Sequence, residues 1–308
     1  MPVVATIDIG TNSTRLLVAD INEQSKIKVL STGLKTTRLG ENIRERVLLP
    51  LPMERTLSAV KNFLDEAAGL KVGSIILAAT SAVRDAVNKE VFLNLIQQET
   101  GHSIRVLSGA EEARLSYLGV VSGLAYDPGQ VTVIDVGGGS TEFTWSTSQG
   151  VVFKSFNVGA VRMTENKDSY EQIYNNLLDQ IKLLFEESLV QGENKPVLVG
   201  VGGTVTTMAA IKLKLDVYDP QLVHGSRLDI SDVSGILKLM EERDLEARKQ
   251  VAGLQPERAD IIVAGVRIVH SVMSLLKQEF LTVSESDILH GLALAAAHIV
   301  EIKIDSVT

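Results

Sequence analysis

Ile7-Asp8-Ile9-Gly10-Thr11-Asn12-Ser13-Thr14-Arg15 has a second copy in Ile134-Asp135-Val136-Gly137-Gly138-Gly139-Ser140-Thr141-Glu142; every pair of positions lies 127 apart, and five of the nine residues are identical. The flanks agree. Val3 to Ile9 and Val131 to Val136 are apolar, β-branched runs carrying an Asp just before the turn, and Leu16 to Asp20 and Glu142 to Thr147 read as strands returning from it. A third strand is expected near Lys28 to Ser31 and near Val151 to Phe156. One Asp-x-Gly alone marks a tight hairpin. Two in register point to a duplication whose turns face each other across a cleft, where paired domains hold their ligands.

The halves continue alike. Ser74 to Ala79 is a strand followed by a helix from about Ala82, and Pro196 to Val201 is a strand followed by Gly202-Gly203-Thr204 and a helix to about Leu213. Ile104 to Leu107 and Leu281 to Ser284 supply the next strands. Each half thus reads strand-strand-strand-helix-strand-helix-strand-helix, an α/β unit. Asp127-Pro128-Gly129 fits a boundary, giving domains 1–125 and 126–285. Pro256 suits the first turn of a long helix to about Lys277, and Ser286 to Glu301 makes an amphipathic helix bearing Leu289, Leu292, Ala293, Ala296 and Ile299.

Composition removes several function classes. The 308 residues are 45% hydrophobic and 22% charged, an ordinary soluble mixture long enough for two domains. With 30 Lys+Arg against 38 Asp+Glu the net charge is −8, which disfavours indiscriminate nucleic-acid binding but not a polyanion in a local pocket. No cysteine is present, which excludes disulfides, thiolate catalysis and cysteine-ligated zinc. MPVVATIDIG has no basic n-region, and the apolar stretch Ile261 to Leu276 is interrupted by Arg267 and His270; no secretory signal or membrane span is expected, and a cytoplasmic location is.

Turns rich in Gly, Ser and Thr let backbone N–H groups converge on phosphate oxygens. Gly10, Thr11, Asn12 and Ser13 form one such nest; Gly137, Gly138, Gly139 and Ser140 form another. Gly203 and Thr204, at a helix N-terminus, offer a third anion site. Asp8 and Asp135 are hard oxygen ligands placed to hold Mg²⁺ directly or through water. No Walker-type G-x-x-x-x-G-K-[ST] loop occurs. Arg84 sits in an apparent first helical turn, where a cation opposes the dipole and is either merely solvated or aimed at an anion. Ser108-Gly109-Ala110-Glu111 reads as a capping box, which occupies Glu111 and frees Glu112. Arg15 faces the cleft or solvent according to strand register, and Glu142 occupies its place in the repeat. Lys35 and Arg38 lie in a polar loop able to guide an anionic chain.

DIGTNSTRLLVAD (8–20), TSAVRDAVN (80–88), SGAEEARL (108–115), IDVGGGSTEF (134–143), VGVGGTVTTMAAI (199–211), VHGSRL (223–228) and ERADIIVAGVRIV (257–269) together resemble the exopolyphosphatase/guanosine pentaphosphate phosphatase (Ppx/GppA) family over nearly the whole chain. The resemblance implies a duplicated actin-like fold of ribonuclease-H-like domains with an interdomain cleft, as in sugar kinases and heat-shock ATPases. It implies Mg²⁺-dependent hydrolysis of the terminal phosphoanhydride of polyphosphate, or of the 5′-γ-phosphate of pppGpp. It places the catalytic base on Glu112 and sets Arg84 against phosphate; the arrangement then puts Mg²⁺ near Asp8, Asp135 and Glu142, unless Glu142 is simply a strand residue. It sends the last helix, 286–303, back onto the first domain. Thr11 stands where many relatives carry Ser. No His is followed by Asp, so the metal-binding HD domain of longer relatives is not expected, which weakens the case for processive action on long chains. His224 and His290 are expected to be structural, and the acidic, apolar C-terminal half suits a homodimer. A phosphotransferase of the same fold and a non-catalytic (p)ppGpp sensor are the more distant alternatives.

Overall fold

The structure, a computed structural model, describes residues 3–22, 24–124, 126–147, 150–165, 170–189 and 197–297. The first half runs β1 (Val3–Ile9), β2 (Thr14–Ile21), β3 (Ile27–Lys35), α1 (Pro50–Gly69), β4 (Ser74–Ala79), α2 (Ser81–Asp85), α3 (Lys89–Thr100), β5 (Ile104–Val106) and α4 (Gly109–Gly123). The second runs β6 (Val131–Val136), β7 (Thr141–Thr147), β8 (Gly150–Phe156), α5 (Ala160–Glu165), α6 (Tyr170–Leu189), β9 (Val197–Val201), α7 (Gly202–Lys212), α8 (Pro220–Val223), β10 (Arg227–Asp229), α9 (Ile230–Glu241), α10 (Leu245–Arg248), α11 (Ile262–Leu275), β11 (Phe280–Val283) and α12 (Ile288–Ala296).

The strand orders are β3-β2-β1-β4-β5 and, read from the same side, β8-β7-β6-β9-β11-β10. In each sheet the first three strands are antiparallel hairpins, and the fourth and fifth run parallel to the central strand. The duplication expected from the two Asp-turns is therefore a duplication of topology, the ribonuclease-H-like arrangement. The central strands β1 and β6 carry nearly continuous apolar residues because helices cover both faces. One core gathers Ile7, Phe63, Val83 and Phe92; the other gathers Ile134, Val205, Val269 and the edge-to-face pair Phe143 and Phe156.

Each half closes by sending its last helix to the other half. The helix α12 lies on β1, β2 and β4, with Leu289 and Ala293 against Val4, Leu17, Ala19 and Ile21. Conversely, α4 lies on β6, β7 and β8, with Tyr117 and Val120 against Val131, Val133, Val199 and Val201. The two helices cross each other backbone to backbone: a Cβ on Gly119 would come within 1.9 Å of Asp287 O, and one on Gly291 within 2.1 Å of Leu115 O. The crossing of α12 was expected; that of α4 was not.

Other differences from the sequence reading have simple causes. The strand β10 went unread because Arg-Leu-Asp is too short and too charged to signal a strand, yet it caps the sheet edge antiparallel to β11. Pro256 opens its own 3₁₀ turn, Pro256–Arg258, rather than the helix α11, which begins at Ile262. The helix expected from Ala82 is split by Ala86, which is extended at the end of α2. The last helix is buried nearly all round, not amphipathic, because it is sandwiched between a sheet and α4. Residues 298–303 of that expected helix, with Ile299 and Glu301, lie outside the described residues, as do Pro196 and Ala125. Among the described residues no helix is long and apolar enough to cross a membrane.

Candidate functional site

Both nests follow the carboxyl end of a central strand, where open α/β sheets present their ligand crevice. In both copies the turn closes on the same bond: Gly10 N–H donates to Ser13 O and Gly137 N–H to Ser140 O, each at 3.0 Å. Their carbonyls are tied into the protein. Thr11 O and Asn12 O accept from the Gly40 and Arg38 N–H groups; Gly137 O and Gly138 O accept from Ala160 and Val161. Carbonyls held in this way leave peptide N–H groups as the ligand-facing side. The turns touch as well as face each other: Thr11 Oγ1 bonds Ser81 Oγ at 2.9 Å, and a Cβ on Gly139 would meet both hydroxyls. Asn12 donates to Ser13 Oγ, so both side chains stay within the first turn.

The helix α4 supplies the centre of the site. The capping box forms as expected, Ser108 and Glu111 each accepting the other's backbone N–H. Glu111 is further engaged by Arg105. Glu112 turns inward and is buried, and Arg84 Nη1 donates to its Oε2 at 2.8 Å and to Leu107 O at 3.0 Å. The two candidate catalytic residues are thus in direct contact. Arg84 lies in the last turn of the five-residue α2, not in a first turn, so no dipole opposes it, and the anion it meets is the Glu112 carboxylate. Burial pushes the Glu112 carboxyl up to about 7; Arg84 opposes the rise, and Asp135 and Asp8 add to it.

The hairpin register pairs Asp8 directly with Arg15 and Asp135 directly with Glu142, which puts each pair on one face of its sheet. This settles the direction of Arg15. Its Nη2 donates to Asp8 Oδ2 at 2.7 Å and its Nη1 to Asp287, the residue capping α12. Asp135 Oδ2 accepts from Ser116 Oγ of α4 at 2.9 Å, and Glu142 Oε1 accepts from Ser155 Oγ at 2.6 Å. Burial and the charge of Asp287 raise Asp135 to about 6. Burial, Glu112 and Asp135 hold Glu142 well above the usual carboxylate range. Burial raises Asp8 too, despite Arg15.

The third turn joins the same centre. Gly202 has φ +85°, and a Cβ there would sit 2.7 Å from Asp135 Oδ1; only glycine permits both the conformation and the approach. Gly203 lies beneath the Arg258 guanidinium, where a Cβ would meet Nη1 at 2.1 Å. Thr204 packs its side chain against Gly265 of α11 and so offers its backbone rather than its hydroxyl.

Arg258 and Asp287 escaped the sequence reading. Burial and the nearby Arg15 charge bring Arg258 down to about 10, and among the described residues no carboxylate pairs with it. It lies in the quoted 257–269 motif, which was read there only as helix. Burial alone would raise Asp287, but Arg15 and His290 hold it well below the usual range. Its signal was the Asp287-x-x-His290 cap spacing. Two basic residues turn out to be clasps between the halves: Arg38 pairs with Asp260 at 2.8 Å, and Arg162 joins Gly139 O and Asp85 at 2.8 and 2.6 Å. Arg38 is therefore spent on an acid rather than free to guide an anionic chain. His224 is structural, accepting from Glu285 N–H through Nδ1 and facing Gly123 O through Nε2.

A divalent cation fits this donor set in a restricted way. Asp8 Oδ1 is buried and has no hydrogen-bond partner, and the carboxylates around it are raised by burial first and by one another's charge second. Among the described residues no three acidic or histidine side chains converge into a cage of their own. Mg²⁺ suits that situation, since it binds through one or two carboxylates and completes its shell with water and phosphate oxygens.

Relatives carry the same chain. The protein is 31% identical to Exopolyphosphatase 2 of Mycobacterium tuberculosis over 313 residues, covering 96% of this chain and 98% of that one. It is 34% identical to a bifunctional 3-dehydroquinate synthase/phosphatase of Fusobacterium nucleatum and 28% identical to a guanosine-5′-triphosphate,3′-diphosphate pyrophosphatase of Vibrio parahaemolyticus; it spans 46% and 58% of those longer proteins. A crystal structure of the Aquifex aeolicus Ppx/GppA family member superimposes with a TM-score of 0.78 at 28% identity, covering 96% of this chain and 97% of that one. The model of the Ppx/GppA phosphatase family matches residues 17–298, and the chain belongs to that family.

Proposed function

We propose that this protein is a Mg²⁺-dependent phosphohydrolase that releases the terminal phosphate of inorganic polyphosphate. The observation that carries the reading is Glu112, a buried carboxylate with its pKa near 7, held against Arg84 where the glycine turns meet. A general base works best with a pKa near the working pH. Glu112 would orient the attacking water in line with the bridging oxygen and take its proton. Arg84, released from Glu112 as that proton arrives, would meet the charge on the transferred phosphoryl group. Gly10 and Gly137 close their turns through their own N–H groups, so the N–H groups of Thr11 to Ser13, of Gly138 to Ser140 and of Gly203 and Thr204 would hold phosphate oxygens, and Arg15 and Arg258 would neutralise the following units of the chain. Asp8, with one of Asp135 and Glu142, would hold Mg²⁺, which supplies positive charge to the phosphoryl oxygens when bound. The working domains would be 1–125 and 126–285, with Glu112 between the sheets.

Hydrolysis of the 5′-phosphate of pppGpp is the second reading, supported by the Vibrio relative's name and by the same site chemistry. Phosphate release from tripolyphosphate, long polyphosphate, pppGpp and ATP, compared side by side, distinguishes the two. Fast release from polyphosphate supports the first; release from pppGpp alone establishes the second.

A further inference from the structure

Asp287 has two positions to hold at once. As N-cap of α12 its Oδ1 accepts from Leu289 N–H at 3.0 Å, and His290 Nδ1 faces its backbone N–H. Its other oxygen accepts from Arg15 Nη1. A helix cap needs only the first of these bonds, and Asn or Ser serves a cap as well as Asp. The second oxygen is spent on a guanidinium that Asp8 already binds through Nε and Nη2.

We propose that Asp287 is the positioning residue for Arg15, clamping its guanidinium from the side opposite Asp8 so that it faces the phosphate chain; this rests on reading the cleft as a phosphate site. A guanidinium fixed by Asp8 alone could swing about that bond, and one fixed by two carboxylates cannot. Asp287 is itself closely packed. Its side chain is buried, and its carbonyl sits on Gly119 of α4, the helix that carries Glu112. One backbone contact therefore registers Arg15 and Glu112 to each other, from opposite ends of the sequence. His290 is the other charged or titratable group beside Asp287 on α12; Asp8, Asp135 and Glu285 face it from the neighbouring strands and turn.

The test is a mutant cycle of Asp287→Asn, Asp287→Ala, Arg15→Gln, and Asp287→Asn combined with Arg15→Gln. Each is read by thermal melting and by calorimetric titration of tripolyphosphate with Mg²⁺ in a catalytically silent Glu112→Gln background, so that no turnover is needed. Asp287→Asn, which loses the buried ion pair but keeps the cap, should melt below the parent and above Asp287→Ala, yet bind about tenfold more weakly, and the binding loss should shrink to less than about twofold once Arg15 is Gln. If Asp287→Asn binds like the parent and only Asp287→Ala suffers, with a lowered melting temperature, Asp287 is a cap and the proposal falls. A tenfold loss that persists without Arg15 also overturns it. Failure of the parent to bind tripolyphosphate would instead sink the phosphate-site reading itself.

Discussion

The two copies of the Asp-turn share their register and the order of their first strands, and differ in charge at one cross-strand pair. In the first, Asp8 faces Arg15 and the pair neutralises itself. In the second, Asp135 faces Glu142, like charges directly opposed on one face, with Glu112 of α4 added beside them. Such opposition is costly in a sheet unless something outside it compensates. Seryl hydroxyls from Ser116 and Ser155 relieve it only in part, as the raised carboxyls show. Duplication gave two equal frames. One frame opposes its Asp with a cation that Asp287 also holds, and the other opposes two carboxylates.

That contrast can be broken from several sides. Removing the cation paired with Glu112 should cost much: Arg84→Ala is expected to lower kcat by about 10²- to 10³-fold, the usual loss for a preorganised charge at a transition state. Steady-state kinetics with a melting curve separates this from unfolding. Relieving the like-charge pair should trade function for stability. Glu142→Gln, close to isosteric, is expected to cut activity at least tenfold while adding about 1–3 kcal/mol of unfolding free energy at pH 8, because a buried, repelled charge is gone. Urea titrations of the metal-free protein check the sign, and a destabilised variant would contradict it.

The same cluster predicts how stability varies with pH. Glu112 near 7 and Asp135 near 6 lie above their ordinary values of 4.5 and 3.8, so the folded protein holds protons that the unfolded chain has already lost. The stability of the metal-free protein should therefore fall as pH rises from about 4 through 7, the reverse of the usual acid-denaturation trend. The fall should be shallower in Glu142→Gln. The smallest effect belongs to the support on Asp135: Ser116→Ala removes one hydrogen bond and should cost about 1 kcal/mol, with a modest loss of activity.

Much of this was legible in the chain because it is written in local pattern. The paired turns and the strands β1, β4 and β6 follow from apolar runs, β-branching and glycine, and the Ser108–Glu111 cap from spacing alone. What could not be read is what depends on tertiary placement. That α4 crosses to the second sheet is decided by Gly119 and Gly291 letting two helices touch, which no periodicity announces. Arg38 looked like a free surface cation until Asp260, 222 positions away, came to meet it. Arg258 and Asp287 were hidden for the same reason: folding of the second half brings Gly203 to Arg258, and the crossing of α12 onto the first sheet brings Asp287 to Arg15. The direction of Arg15 waited on a hairpin register that sequence leaves free by one residue.

The central claim is that Glu112 is the general base. It is tested most directly by phosphate release from tripolyphosphate with Mg²⁺, followed from pH 5 to 9 in the wild type and Glu112→Gln, with binding measured alongside. The account predicts a wild-type rate that climbs through about pH 7 as Glu112 ionises, and a mutant about 10²- to 10⁴-fold slower whose affinity for tripolyphosphate stays within a few-fold. A mutant that turns over at the wild-type rate, with the same pH profile, would contradict it.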